Sequence, residues 1–312
     1  MKFHYVFTLL ALAWGSAAAA PFVYVPNEKS GTISVIDSAT DKVVREIAAG
    51  KRPRGIASDP AGRVLYVTDA GTSSLLVIDM ASGRQEAALP LGSSPEGVHA
   101  SADGRFVAVA VEESNSVTVF DTRTRKQLAD IKVQGQNPEH AVFSPDGRLL
   151  LVSAENAEQV DVIEVATLRQ VGSIGVGLRP RGIGFSADSA RAYVASELVN
   201  TVFVIDLATL KAIASVPAGK NANGIAMHPN GRQLYVSNGT DGTVMQIDTA
   251  TNTVSATVAV GKRPWNMAIT ADGSKLYVAN GRSNSVSVID TATARKLADI
   301  PVGELPWGAL IR

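Results

Sequence analysis

Residues 276–290 read LYVANGRSNSVSVID, and residues 234–248 read LYVSNGTDGTVMQID. Two passages so alike, 42 residues apart, indicate a repeat, and its register runs the length of the chain. The acidic residue closing the second apolar run recurs at Asp37, Asp79, Asp121, Glu164, Asp206, Asp248 and Asp290, in steps of 42 with a single step of 43. The glycine opening a linker patterned on G-x-x-P-x-G recurs at Gly50, Gly92, Gly135, Gly177, Gly219, Gly261 and Gly303, again in steps of 42 with one of 43. Two anchors with one period give seven registers.

Each period holds four short apolar runs separated by turn chemistry, as in the stretch that passes from Met267–Ile269 through ADGS, LYVAN, GRSNS, VSVID and TATAR to KLADIPV. Four strands in about 42 residues is the length of a propeller blade. The strands are apolar on both faces, which suits blades packed face to face around an axis. The reading is therefore all-β: a seven-bladed β-propeller with four antiparallel strands per blade. In Asp103-Gly104, Asp146-Gly147, Asn230-Gly231 and Asp272-Gly273, glycine supplies the positive φ of a tight hairpin. The Asp of each VID turn accepts a hydrogen bond from its own backbone two residues on and ends the third strand, whereas Glu164 is a methylene too long and predicts a looser turn. The sequence after residue 20 starts on a second strand, PFVYV, and stops on a first strand, WGALIR. The ring is thus expected to close by the C-terminal strand, residues 307–311, joining the three N-terminal strands, which leaves no free edge.

Charge excludes some partners. With 29 basic and 29 acidic residues the net charge is zero, so no global field favours nucleic acid or an anionic membrane surface. At 312 residues, 46% of them hydrophobic, the chain can bury a large core. Residues 1–20 run from Lys2 through an apolar stretch into small residues, the pattern of an export signal cleaved after Ala19 or Ala20, with Pro21 disfavouring the second site. Residues 21–312 then form a single propeller domain. There is no cysteine, which removes disulfides, thiolate metal sites and lipid attachment. The expected location is the periplasm of a Gram-negative bacterium, with the protein a monomer that does not span the membrane.

The tetrapeptides YVPN (24–27), YVTD (66–69), YVSN (235–238) and YVAN (277–280), each followed by a VID-type strand and a G-x-x-P-x-G linker, resemble YVTN-family β-propeller repeats. An exported single domain of seven such repeats is similar to the family of β-propeller proteins associated with catabolism dependent on pyrroloquinoline quinone (PQQ). That resemblance implies a non-enzymatic binding or scaffold protein in PQQ-dependent alcohol catabolism, with PQQ held by partner enzymes and no cofactor bound here. YVTN-type blades also resemble those of propeller lactonases, which implies an alternative hydrolase built on Glu139, His140 and Arg181.

Sites in repeat proteins sit where the repeat is broken. In a propeller the linkers and the loops between second and third strands share one face, around the channel mouth. The last variable linker position puts Arg54, Glu96, Glu139, Arg181, Asn223, Trp265 and Trp307 in a ring there. This is either a ligand-recognition ring, with an aromatic wall and a carboxylate pair, or the filling of a wet rim. His140 replaces a glycine found in five other repeats, and His99 lies on the neighbouring first strand. Neither spacing is a metal motif, so no metal ligand is assigned. Lys51, Arg52, Arg179, Lys220, Lys262 and Arg263 form a basic inner cluster, while Glu28, Asp69, Glu112, Glu113, Glu155, Glu158, Glu197 and Asp241 lie in the second-to-third strand loops. The expected field is positive inside and negative outside. It suits a small anionic ligand or a periplasmic protein partner, and less well a single strand of nucleic acid stacked on the tryptophans. No G-x-S-x-G, H-E-x-x-H or P-loop motif occurs, so no catalytic residue is assigned.

Overall fold

A computed structural model describes residues 21–312. The predicted export signal, residues 1–20, lies outside the described residues. Seven four-stranded antiparallel sheets follow one another as blades, and the described residues contain no helix. Blades 2 to 7 are continuous, covering 53–90, 95–132, 136–175, 180–217, 222–259 and 264–301. Blade 1 is composite, ordered from the axis outward as Leu310–Ile311, Phe22–Asn27, Thr32–Asp37 and Lys42–Ala48.

The linker glycine and the last residue of each YVxN turn are partners. Asn238 Oδ1 accepts the Gly219 N–H at 3.0 Å, and Asn280 Oδ1 accepts that of Gly261 at 3.0 Å. Asp69 takes the N–H groups of Lys51 and Arg52 at 3.0 and 2.7 Å. A Cβ on Gly219 would stand 2.7 Å from Asn238 Cγ, so the linker needs glycine because the YVxN side chain occupies that space. The hairpin glycines Gly104, Gly147, Gly231 and Gly273 have φ of +71°, +70°, +71° and +76°. Asp79, Asp121, Asp206 and Asp290 accept the N–H three residues on, at 2.8, 2.6, 2.8 and 2.7 Å. Glu164 makes no such backbone bond among the described residues and takes only the Thr167 hydroxyl, at 2.8 Å.

The core lies between blades. Tyr24, Ile33, Val35 and Ile47 of blade 1 pack on Leu65, Val67, Leu76 and Ile78 of blade 2, and each fully buried aliphatic contributes about 1.5–3 kcal/mol. At the seam where the ring closes, Val23, Val25 and Ile36 pack on Tyr277, Val286 and Val288 of blade 7. There the Tyr277 hydroxyl donates to Asp41 Oδ1 at 2.6 Å and Lys275 pairs with Asp41 at 2.7 Å. The C-terminal strand pairs Ile311 with Val23 and Leu310 with Tyr24. Arg312 N–H donates to Phe22 O at 2.9 Å, and Trp307 N–H to Pro26 O at 2.9 Å. The regular ladder covers Leu310–Ile311, shorter than the expected 307–311, with a bridge between Asn27 and Pro306.

Candidate functional site

Two repeat positions converge on the channel mouth. The first is the linker ring. In blades 2, 3, 5, 6 and 7 the inner-strand pairing slips just after the linker proline position, for example between Pro53 and Ile56 and between Pro264 and Met267. Such a bulge takes the ring residue out of the ladder and turns its side chain toward the axis. The second is the residue after each YVxN: Glu28, Ala70, Glu112, Glu155, Glu197, Gly239 and Gly281. In six blades its N–H donates to a linker carbonyl, at 2.8–3.0 Å, which fixes it beside the ring.

Both positions line one cavity of about 230 Å³. All seven ring residues and His140 face it, joined by Glu28, Glu112, Glu155, Arg263 and Asn266. The His140 and Trp307 rings, on blades three apart, meet with centroids 5.5 Å apart, so they reach each other across the axis. His140 is admitted by a local change of register. Its strand is lengthened to Gln136–Phe143 and pairs His140 with Ser153, whereas the glycines at this position pack on the next blade, and a Cβ on Gly55 would stand 2.5 Å from Glu96 O. His99 lies apart from the cavity, its Nδ1 accepting the Phe143 N–H at 3.3 Å. Burial, reinforced by Arg312, pulls the His99 pKa down to about 4. Burial, with Arg181 and His99 nearby, pulls that of His140 down to about 3.

Two arginines organise the charges. Arg54 Nε pairs with Glu28 at 3.1 Å while its Nη1 contacts Glu96. Arg181 spends all three nitrogens on carboxylates: Nε on Glu197 at 2.8 Å, Nη2 on Glu155 at 2.6 Å, and Nη1 on Glu139. Arg263 adds a 3.0 Å pair to Glu197. Glu139 and Glu155 are neighbours, with one oxygen of each within 4.8 Å of the other. Burial is the main reason that the Glu139 carboxyl is held well above the usual range, with Arg181 lowering it and the nearby Glu155 and Glu112 adding to the rise. Burial would also raise Glu155, but Arg181 and Arg179 more than offset it, and its carboxyl lies below the usual range.

The expected polarity is reversed. Lys51, Arg52, Lys220 and Lys262 are exposed, and Arg179 and Arg263 serve as counter-ions to glutamates rather than as a free basic cluster. The acids of the second ring point inward instead. Glu28 and Glu197 are 6% and 1% exposed. The cavity lining carries five carboxyl groups, Glu28, Glu96, Glu112, Glu139 and Glu155, against the three guanidinium groups of Arg54, Arg181 and Arg263. Glu113, Glu158 and Asp241 do stay outside. The physical reason is that a buried guanidinium needs carboxylates on each arm, and the second ring is the nearest supply. Asn266, which breaks the same glycine position as His140, is the other residue the sequence reading passed over.

Residues 58–230, more than half of the chain, match the family model described as YNCE-like beta-propeller. The chain belongs to this family. This YncE-like propeller also matches, over residues 166–301, the model described as lactonase, 7-bladed beta-propeller. Among solved structures it is similar to Kuenenia stuttgartiensis hydrazine synthase, with a TM-score of 0.80 and 23% identity over 92% of this chain and 99% of that one. A functionally unknown protein from Desulfotomaculum acetoxidans DSM 771 superposes with a TM-score of 0.83 and 17% identity, over 94% and 99% of the two chains. The dihydro-heme d1 dehydrogenase NirN in complex with DHE gives 0.70 and 16%, over 97% and 77%. At these identities the likeness is one of fold. No curated protein matches the chain.

Proposed function

We propose that this YncE-like propeller is a non-catalytic, exported binding protein whose axial cavity takes a small, positively charged ligand, in service of PQQ-dependent alcohol catabolism. The leader pattern and the YVTN-type repeats support the setting. The observation that carries the ligand class is the excess of carboxylates at the cavity. Every nitrogen of Arg181 is committed, and Glu112 is held only by the Ser94 hydroxyl at 2.7 Å, with no ion-pair partner among the described residues. Across from these acids stand the half-buried indoles of Trp265 and Trp307. A carboxylate facing an aromatic wall is an arrangement that attracts cations. Thermal melting of the protein with ethanolamine, tetramethylammonium, divalent chlorides, PQQ and simple lactones tests the reading. Stabilisation by cations is expected and stabilisation by PQQ alone would reverse it.

A lactonase-like hydrolase is the second reading, favoured by the neighbouring carboxyls of Glu139 and Glu155 beside His140, candidates for acid and base in one cavity. Against it, the lactonase likeness spans Arg181 but stops short of Glu139 and His140. Lactone turnover that vanishes in His140→Ala would put this reading first.

A further inference from the structure

We propose that Glu112, Glu139 and Glu155 form a seat for a hard divalent cation, with Ca²⁺ its best occupant, completed by the Asn223 side chain and water. The inference rests on the axial cavity being the binding site and names the ligand class within it. One carboxylate oxygen from each glutamate lies within 4.8 Å of the other two. Oxygens so spaced can be bridged by an ion with ligand distances of about 2.3–2.6 Å. All three donors are carboxylates, the donor set of Ca²⁺, Mg²⁺ and Mn²⁺ rather than of softer metals.

A cluster of acids is common on protein surfaces, but this one is walled by the ring. Glu139 is 7% exposed. The second observation is Asn223. It is 6% exposed and lines the same cavity, yet among the described residues its side-chain amide makes no hydrogen bond. Its amide therefore opens onto the cavity, where a bound ligand is the partner left to it. Its Oδ1 is the neutral oxygen a Ca²⁺ site accepts alongside carboxylates.

Arg181 touches Glu139 and Glu155 and Arg179 touches Glu155, whereas Glu112 has no ion-pair partner among the described residues and brings an uncompensated carboxylate to the cluster. Arg181 holds Glu139 and Glu155 in position while leaving each a second oxygen. The Ser94 hydroxyl orients Glu112 in the same way. The wide and variable coordination of Ca²⁺ suits such an irregular set better than the octahedron of Mg²⁺.

The test is calorimetric titration of EDTA-treated, dialysed protein with CaCl₂, MgCl₂, MnCl₂, ZnCl₂ and tetramethylammonium chloride, paired with melting curves. One Ca²⁺ per chain is expected, bound more tightly than Mg²⁺. Glu112→Gln, which removes no arginine partner, should weaken it at least tenfold with the ion-free melting temperature unchanged. Asn223→Ala should weaken it several-fold, and Glu304→Gln, an exposed acid away from the cavity, should leave it unaltered. Absence of binding by Ca²⁺, Mg²⁺ and Mn²⁺, or binding indifferent to Glu112→Gln, overturns the seat. Tetramethylammonium binding without divalent binding refutes the seat and leaves the cation-binding cavity standing. Failure of every cation refutes both.

Discussion

The cavity has two arcs built on one repeat, and they solve the same packing problem in opposite ways. Along blades 1 to 5 the second ring is Glu28, Ala70, Glu112, Glu155 and Glu197, and the first ring answers with Arg54 and Arg181 among Glu96 and Glu139. Along blades 6 and 7 the second ring shrinks to Gly239 and Gly281. The freed space is filled by long side chains from the linkers. A Cβ on Gly281 would stand 2.5 Å from the Trp265 indole, and one on Gly239 would stand 3.3 Å from Arg263 Cδ. At blade 7 the glycine of the second ring thus makes room for the Trp265 indole, which with its ring neighbour Trp307 forms an aromatic arc facing an acidic, ion-paired one around a single small volume.

Four perturbations break or sharpen this contrast. The largest is deletion of residues 306–312, which takes Trp307 from the aromatic arc and strips the inner strand from blade 1, exposing an edge along the axis. The product should aggregate or melt far below the intact protein, and a retained melting temperature would show that the ring closes otherwise. Next, Arg181→Met breaks three ion pairs and leaves Glu139 with no counter-ion, while Arg179 and Arg263 still hold Glu155 and Glu197, and should cost about 3–5 kcal/mol in urea unfolding. Arg54→Met, which breaks two ion pairs rather than three and leaves Glu28 its 2.6 Å pair with Arg52, should cost less, about 1–3 kcal/mol. Equal losses would mean that the two arginines are not graded by the acids they hold.

The third is acid sensitivity beneath the charged arc. His99 is neutral in the fold because burial pulls its pKa to about 4, while the unfolded chain takes up a proton below about 6.5. Its contribution is therefore present above pH 6.5 and lost as pH falls toward 4, up to about 3 kcal/mol. His99→Gln keeps an acceptor for the Phe143 N–H and should flatten the pH dependence of stability over that window. An unchanged slope would show that His99 is not the group responsible. The smallest effect separates the glycines. Gly281→Ala must displace a packed indole and should cost about 1–3 kcal/mol. Gly239→Ala meets only a flexible arginine stem and should stay within about 0.5 kcal/mol.

Much of the scaffold was legible because it is periodic. The spacing of Asp37 to Asp290 and of Gly50 to Gly303 carries the blade count, and the hydrogen bond from the Gly219 N–H to Asn238 explains why the linker glycine keeps step with the YVxN residue. The ring from Arg54 to Trp307 was legible for the same reason, as one linker position in every register. The sign of the field was not. Glu28, Glu155 and Glu197 read as loop acids, since a single repeat does not reveal that an arginine 16 to 26 residues away draws each inward. Pairing across blades is invisible to a pattern defined within one. Asn266 and the unpartnered amide of Asn223 escaped notice because neither carries charge, although Asn266 breaks the glycine position as plainly as His140 does.

The central claim is that acids and indoles of the two arcs surround one cation-binding volume. Terbium luminescence tests both halves at once, because Tb³⁺ occupies hard oxygen sites and emits on indole excitation only when tryptophan is close. Sensitised emission is expected that Ca²⁺ displaces, that Glu112→Gln abolishes, and that falls when Trp265 and Trp307 are replaced by Phe. Emission that survives Glu112→Gln, or no sensitised emission from protein whose two tryptophans are intact, would contradict it.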